Sequence, residues 1–129
     1  MPDNLDIPAS ARTPAVRFDF ASHHLKIAGE SYPEDVTEFY GPVFAALDAY
    51  LGGLGQGSCR VEFELIYLNS SSAKAVMMLM DKLEAAAAKG AAVDVHWFYD
   101  KEDDTMQELG EEFGEDLQNA KFHLEKMAG

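Results

Sequence analysis

The spacing of apolar and polar residues changes several times along this chain, and each change marks an element. Residues 16–20 (VRFDF) and 24–29 (HLKIAG) read as two short strands, joined by a tight turn at 21–23. From Ser31 the period lengthens. Val36, Phe39, Tyr40, Val43, Phe44, Leu47, Tyr50, Leu51 and Leu54 recur in steps of three and four, which predicts a helix with one apolar face. Ser31 and Glu34 have capping-box spacing, and Pro33 falls in the first turn, where a missing N–H is no loss. Pro42 lies inside the pattern and predicts a kink. The glycine-rich residues 52–57 end the helix.

Residues 59–69 (CRVEFELIYLN) alternate at first, with Val61, Phe63, Leu65 and Tyr67 on one face and Arg60, Glu62 and Glu64 on the other. Ile66 and Leu68 then make both faces apolar, which predicts a central strand covered on both sides at its end. Three serines follow, then a second helix with Ala73, Val76, Met77, Met80, Leu83 and Ala87 as its expected buried stripe and Gly90 as its stop. Residues 91–100 form another strand, with Val93, Val95, Trp97 and Tyr99 inward and Asp94 and His96 opposite. Residues 102–117 form an acidic helix with a thin Met106, Leu109, Phe113, Leu117 stripe, weakened by Gly110 and Gly114. Residues 120–127 close the chain with a strand.

The expected order is β-β-α-β-α-β-α-β. Alternation after the hairpin implies parallel strands joined by helical crossovers. The fold class is therefore α/β, with a mixed sheet of about five strands. Residues 1–14, with prolines at 2, 8 and 14, read as a flexible N-terminal arm, and residues 15–129 as a single domain.

Charge narrows the function. Ten Lys and Arg against 23 Asp and Glu give a net charge of −13. Such a surface repels nucleic-acid phosphates and anionic membranes. No run resembles a secretory signal or approaches the roughly 20 apolar residues of a spanning helix, so a cytoplasmic protein is expected. The single cysteine, Cys59, excludes an intrachain disulfide and is expected to be buried. The four histidines (His23, His24, His96, His123) lack the spacing of a zinc site, and no phosphate-binding glycine loop or nucleophile elbow is present. No metal, cofactor or catalytic group is implied.

What remains is the turn Asn69-Ser70-Ser71-Ser72 between a buried strand and a helix. One serine suffices as a cap, and Ser71 or Ser72 is expected to fill that role. A helix N-terminus also welcomes anions, so a serine hydroxyl here can carry a phosphate, with Lys74 partly neutralising it. Ser70, Lys74, Met78, Asp81 and Lys82 fall near one line opposite the expected stripe. Met78 is the large apolar residue there. Exposed, it suits a partner contact; the alternative is burial under a neighbouring element.

The segments "SYPED" (31–35), "YLNSSSAK" (67–74) and "WFYD" (97–100) resemble the SiaC family of bacterial regulatory phosphoproteins, in matching element order over about residues 10–127. That family is similar to the STAS domains of anti-sigma-factor antagonists. The resemblance implies a STAS-like fold and a non-enzymatic switch. A dedicated Ser/Thr kinase phosphorylates the hydroxyl residue after the asparagine, and a PP2C-type phosphatase reverses it. The unphosphorylated form binds and activates a diguanylate cyclase, raising cyclic-di-GMP and promoting biofilm or aggregation. The matching acceptor is Ser70, a departure from the family's threonine, with Ser71 as fallback and Asn69, Ser72 and Lys74 around it. Tyr32, Pro33 and Glu34 match the second motif and are assigned, with Met78 and Asp81, to the partner surface. The alternatives are an anti-sigma-factor antagonist and, from another class, a small-ligand carrier.

Overall fold

A computed structural model describes residues 4–127. Residues 1–3 of the expected arm and 128–129 of the expected domain lie outside the described residues. The elements are β1 (Leu5–Ile7), β2 (Ala15–Asp19), a 3-10 turn (Phe20–Ser22), β3 (His24–Ser31), α1 (Val36–Leu54), β4 (Ser58–Leu68), α2 (Ser70–Ala88), β5 (Ala92–Tyr99), α3 (Asp104–Glu115) and β6 (Lys121–Lys126). The six strands lie side by side in chain order. β1–β2 and β2–β3 pair antiparallel, and the later pairs are parallel.

The sheet has six strands where five were expected, and the additional one is in the segment read as a flexible arm. β1 pairs Leu5 with Phe18 and Ile7 with Val16. The Asn4 side-chain oxygen accepts the Phe20 and Ala21 N–H groups at 2.9 and 3.3 Å, anchoring the strand's start. Pro8 directly follows this strand and Pro14 directly precedes β2, so neither interrupts the pairing.

Sequential parallel strands joined by right-handed crossovers put all three helices on one face. That face holds the core: Leu25, Ile27, Val61, Phe63, Leu65, Val93, Val95 and Trp97 are buried beneath Tyr40, Val43, Leu47, Val76, Leu79, Leu83, Met106 and Phe113. The opposite face carries cross-strand polar pairs: the ion pair Lys26–Glu64 at 2.6 Å and the histidine–carboxylate contacts His24–Glu62 at 2.7 Å, His96–Glu125 at 3.0 Å and His123–Asp94 at 3.2 Å. The expectation that the end of β4 is covered on both sides is corrected here: Ile66 is 60% and Tyr67 50% exposed. β4 pairs with β5 only as far as Phe63, and no helix covers that side of the sheet. Cys59 is buried as expected, and burial, with the nearby Asp94 carboxylate, pushes its thiol up to about 11.

Two helix starts differ from expectation. α1 is capped by Asp35, whose carboxylate accepts the Glu38 N–H at 3.0 Å, not by Ser31. Ser31 instead ends β3 opposite Leu68, and Pro33 lies in the connecting loop. α1 runs on through Pro42. In α2 the buried stripe is Ser72, Ala75, Val76, Leu79, Met80, Leu83 and Ala87, and the expected core residue Met77 is 39% exposed. Residues 76–80 are five apolar side chains in succession, so periodicity leaves the helix phase open; the buried Ser72 sets it.

Glu84 on α2 holds the loop before β6. Its carboxylate accepts the N–H groups of Gln118, Asn119 and Ala120 and the Asn119 side-chain amide. Burial raises this carboxyl, but the donors of Ala120, Asn119 and Gln118 outweigh it and hold it below its ordinary value of 4.5. A depressed folded-state pKa stabilises above the unfolded value and ceases to as pH falls through the folded one. Glu84→Ala is expected to cost about 2 kcal/mol at neutral pH by the scale of hydrogen bonds to charged groups. In denaturant melts, the gap from the unsubstituted chain should close as pH drops below the ordinary glutamate range.

Candidate functional site

The two short segments singled out in the sequence meet at the carboxyl ends of β3 and β4. Between Gly29 and Glu30 the register shifts, so Ile66 and Tyr67 together oppose Glu30, and Ser31 then pairs with Leu68. The Asn69 N–H donates to the Ser31 carbonyl at 3.2 Å. The Tyr32 and Tyr67 rings meet edge to face at 5.7 Å.

The three serines have separate environments. Asn69 is the N-cap of α2: its side-chain oxygen accepts the Ser72 N–H at 2.8 Å, and its carbonyl accepts the Ala73 N–H at 2.9 Å. This corrects the expectation that Ser71 or Ser72 caps the helix. Asparagine is as good a cap as serine and stands one residue earlier. Ser72 points inward. Its hydroxyl oxygen accepts from Ser31 at 2.9 Å, and Ser31 lies 2.7 Å from the Tyr40 hydroxyl. All three hydroxyls are buried and partnered, tying α2, β3 and α1 together. Burial raises the Tyr40 phenol above its ordinary value, and its bond with Ser31 offsets only part of that. Tyr40→Phe should therefore cost about 1 kcal/mol. It should also speed amide exchange at Ser72 and Ala73 more than at the far end of α2. Ser70 and Ser71 are exposed, and they present the turn's free hydroxyls.

Beside the turn, α1 and α2 enclose a groove of about 500 Å³ lined by Val36, Thr37, Phe44, Ser71, Lys74 and Met78. Met78 is 42% exposed, and Asp81 is exposed one turn further on. Met77, one of the expected core residues, adds a second exposed methionine to the Ser70 side of α2. Lys82 bridges the two helices to Asp48 at 2.9 Å. The structure thus gathers Ser71, Lys74 and Met78 into one concave surface.

Pro33 and Glu34 line a separate hollow with Ile7, Asp35 and Phe39. Glu34 there pairs with Arg12 at 2.6 Å, and the Tyr32 hydroxyl donates to the Ala11 carbonyl at 2.8 Å. Periodicity missed the Ser31–Ser72–Tyr40 chain, because a serine at a helix start reads as a cap. The buried position of Tyr40 in the α1 stripe was its one visible sign.

Elsewhere, Ser22, His23, Arg60, Asp94, His96 and His123 line a polar hollow of about 570 Å³ at the amino ends of the parallel strands. His96 and His123 stack at 4.4 Å there. Among the described residues, no three His, Cys, Asp or Glu side chains converge as a metal site.

Comparison with known proteins gives the same result throughout. The family model described as "SiaC family regulatory phosphoprotein" matches residues 7–127. An uncharacterized protein of Pseudomonas aeruginosa strain UCBPP-PA14 is 39% identical over 113 residues, 88% of this chain and 89% of that one. The crystal structure of apo-SiaC from Pseudomonas aeruginosa superposes with a TM-score of 0.89 at 37% identity, covering 97% of this chain and 99% of that one. SiaC also matches as solved in a complex of the diguanylate cyclase SiaD with "its activator SiaC", at a TM-score of 0.89 and 36% identity, covering 95% and 99% of the two chains. The fold and the converging motifs agree with these matches: the chain belongs to the SiaC family of regulatory phosphoproteins.

Proposed function

We propose that this chain is a phosphorylation-switched activator of a diguanylate cyclase, acting by binding rather than by catalysis. The observation that carries this reading is an exposed Ser70 at a capped helix start beside an apolar groove, in a chain whose relative is the activator in a cyclase complex. In its unphosphorylated form the groove, with Met78 and Asp81 at its edge, takes the cyclase. The loop at Tyr32, Pro33 and Glu34 extends the contact. Cyclic-di-GMP then rises and favours biofilm growth or aggregation.

Phosphate on Ser70, or on Ser71 as the neighbouring alternative, ends binding. It adds about 1.5–2 negative charges and three acceptors beside the groove. The helix start tolerates this, because the dipole favours negative charge there and Lys74 lies one turn away. A Ser/Thr kinase and a PP2C-type phosphatase set the state. Among the described residues no helix is long and apolar enough to cross a membrane.

Peptide mass spectrometry of the protein from its native host tests the reading. The expected result is a phosphate on Ser70 that varies with growth condition, and a cyclase that co-purifies only with the unmodified form. A serine turn unmodified under every condition would sink it.

A further inference from the structure

The serine turn is stiff, and that constrains the enzyme that modifies it. Asn69 caps the turn, and Ser72 is tied below the surface to Ser31 and Tyr40. An active site that threads an extended peptide would have to unravel the start of α2. The kinase must instead recognise the folded domain and hold it beside Ser70.

A surface suited to this lies on the strand side of the turn. Ile66 is 60% and Tyr67 50% exposed, four and three residues before Ser70. The register shift sets both against Glu30, where β4 has already run past its pairing with β5. Tyr32 braces the Tyr67 ring edge to face. Glu30 is exposed and makes no ion pair among the described residues, whereas Glu62 and Glu64 on the same side of the sheet are paired. Met78 and the α1–α2 groove belong to the helical side. Two surfaces therefore flank one modification site.

We propose that Ile66, Tyr67 and Glu30 form the docking surface for the kinase that phosphorylates the serine turn, separate from the groove that takes the cyclase. This rests on the phospho-switch described above. The kinase presents an apolar socket for Ile66 and Tyr67 with a basic side chain opposite Glu30. A second copy of this chain fits less well. A two-fold contact through this patch brings the two Glu30 carboxylates together, between chains that each carry a net charge of −13.

Two variants of the full chain test the assignment, Ile66→Ser/Tyr67→Ser and Glu30→Lys. Host-cell extract with ATP serves as the kinase source, and phosphopeptide mass spectrometry follows the initial rate as substrate concentration rises. The cyclase purified from the same host reports the other surface. The double variant should raise the KM for phosphorylation by roughly tenfold or more, the scale of losing interface anchors. Glu30→Lys should raise it by less and should activate the cyclase as the unsubstituted chain does; the double variant, which removes the ring packed on Tyr32, is read by its phosphorylation alone. Thermal melting guards against a misfolded double variant, and Glu30→Lys alters no buried contact. An unchanged KM in both variants overturns the assignment, as does a Glu30→Lys chain that loses cyclase activation in step with phosphorylation. An unsubstituted chain that takes up no phosphate at all sinks the switch itself, and this docking role with it.

Discussion

Replacing Ser70 with glutamate is expected to lower affinity for the cyclase by roughly 10–100-fold, or about 1.4–2.8 kcal/mol. The charge sits at the exposed first residue of α2, next to the groove residues Ser71 and Lys74. Glutamate carries less charge than a phosphate, so the phosphorylated protein should be weaker still. Folding should move the other way. A negative side chain in the first turn is favoured by the helix dipole by about 0.3–1 kcal/mol, so the melting temperature should rise slightly. Ser70→Ala should bind the cyclase normally and resist phosphorylation at that position. Calorimetric titration of the three proteins against the cyclase, with a melt of each, checks the prediction. Full cyclase activation by Ser70→Glu would show that charge at this turn does not govern binding.

Gly110→Ala is expected to destabilise the fold by about 3 kcal/mol, the upper part of the usual range for overpacking. For a domain of this size that is a fall in melting temperature of about 10 °C. A Cβ at Gly110 would stand 2.5 Å from Trp97 Cδ1, 2.6 Å from its Nε1 and 2.8 Å from Leu124 Cδ1. Trp97 has little room to yield. It is fully buried, its indole N–H donates to the Met106 carbonyl at 3.0 Å, and Phe63 and Phe113 pack against its ring. Gly114→Ala meets Phe122 at 2.6 Å, but that ring is only half-buried and can turn aside, so its cost should be smaller. Gly52 in α1 has nothing within 4 Å of a Cβ, so Gly52→Ala should stabilise by about 0.5–1 kcal/mol through helix propensity. Equal effects at Gly110 and Gly52 would rule out the packing account.

Those glycines show how sequence patterns mislead at close contacts. In isolation Gly110 and Gly114 read as weak points of a thin helix, because propensity counts only the chain's own freedom. Their role is to let α3 approach Trp97 and Phe122, and only the partner across the gap reveals it. Other elements were legible for a plain reason. The alternations at 16–20, 24–29 and 59–65 and the stripe from Val36 to Leu54 each have one unambiguous period. The α2 phase was not, because residues 76–80 satisfy any phase. β1 was hidden by the prolines near it in the chain and by having only three residues. At the candidate site, the turn and the exposed Ser70 were within reach of the sequence, whereas the exposure of Met78 was open until the neighbouring helix was placed. The cap at Asn69 was not within reach, since asparagine and serine compete for that role with equal chemistry. Nor was the Ile66–Tyr67 surface, because two apolar residues at a strand's end read as burial when the missing helix layer is unknown.

The three-residue strand β1 also bears on how this protein can be handled. It covers the outer edge of β2, whose Val16 and Phe18 belong to the core. A chain shortened to begin at residue 15 would leave that edge bare, with unpaired N–H and C=O groups ready to accept a neighbour's strand. Such a truncation should associate as its concentration rises. The opposite edge, β6, is bounded by Lys121 and Lys126, whose charges oppose strand-to-strand addition. A tag or fusion is better tolerated at the carboxyl end, while β1 acts as the hem that keeps the sheet from growing.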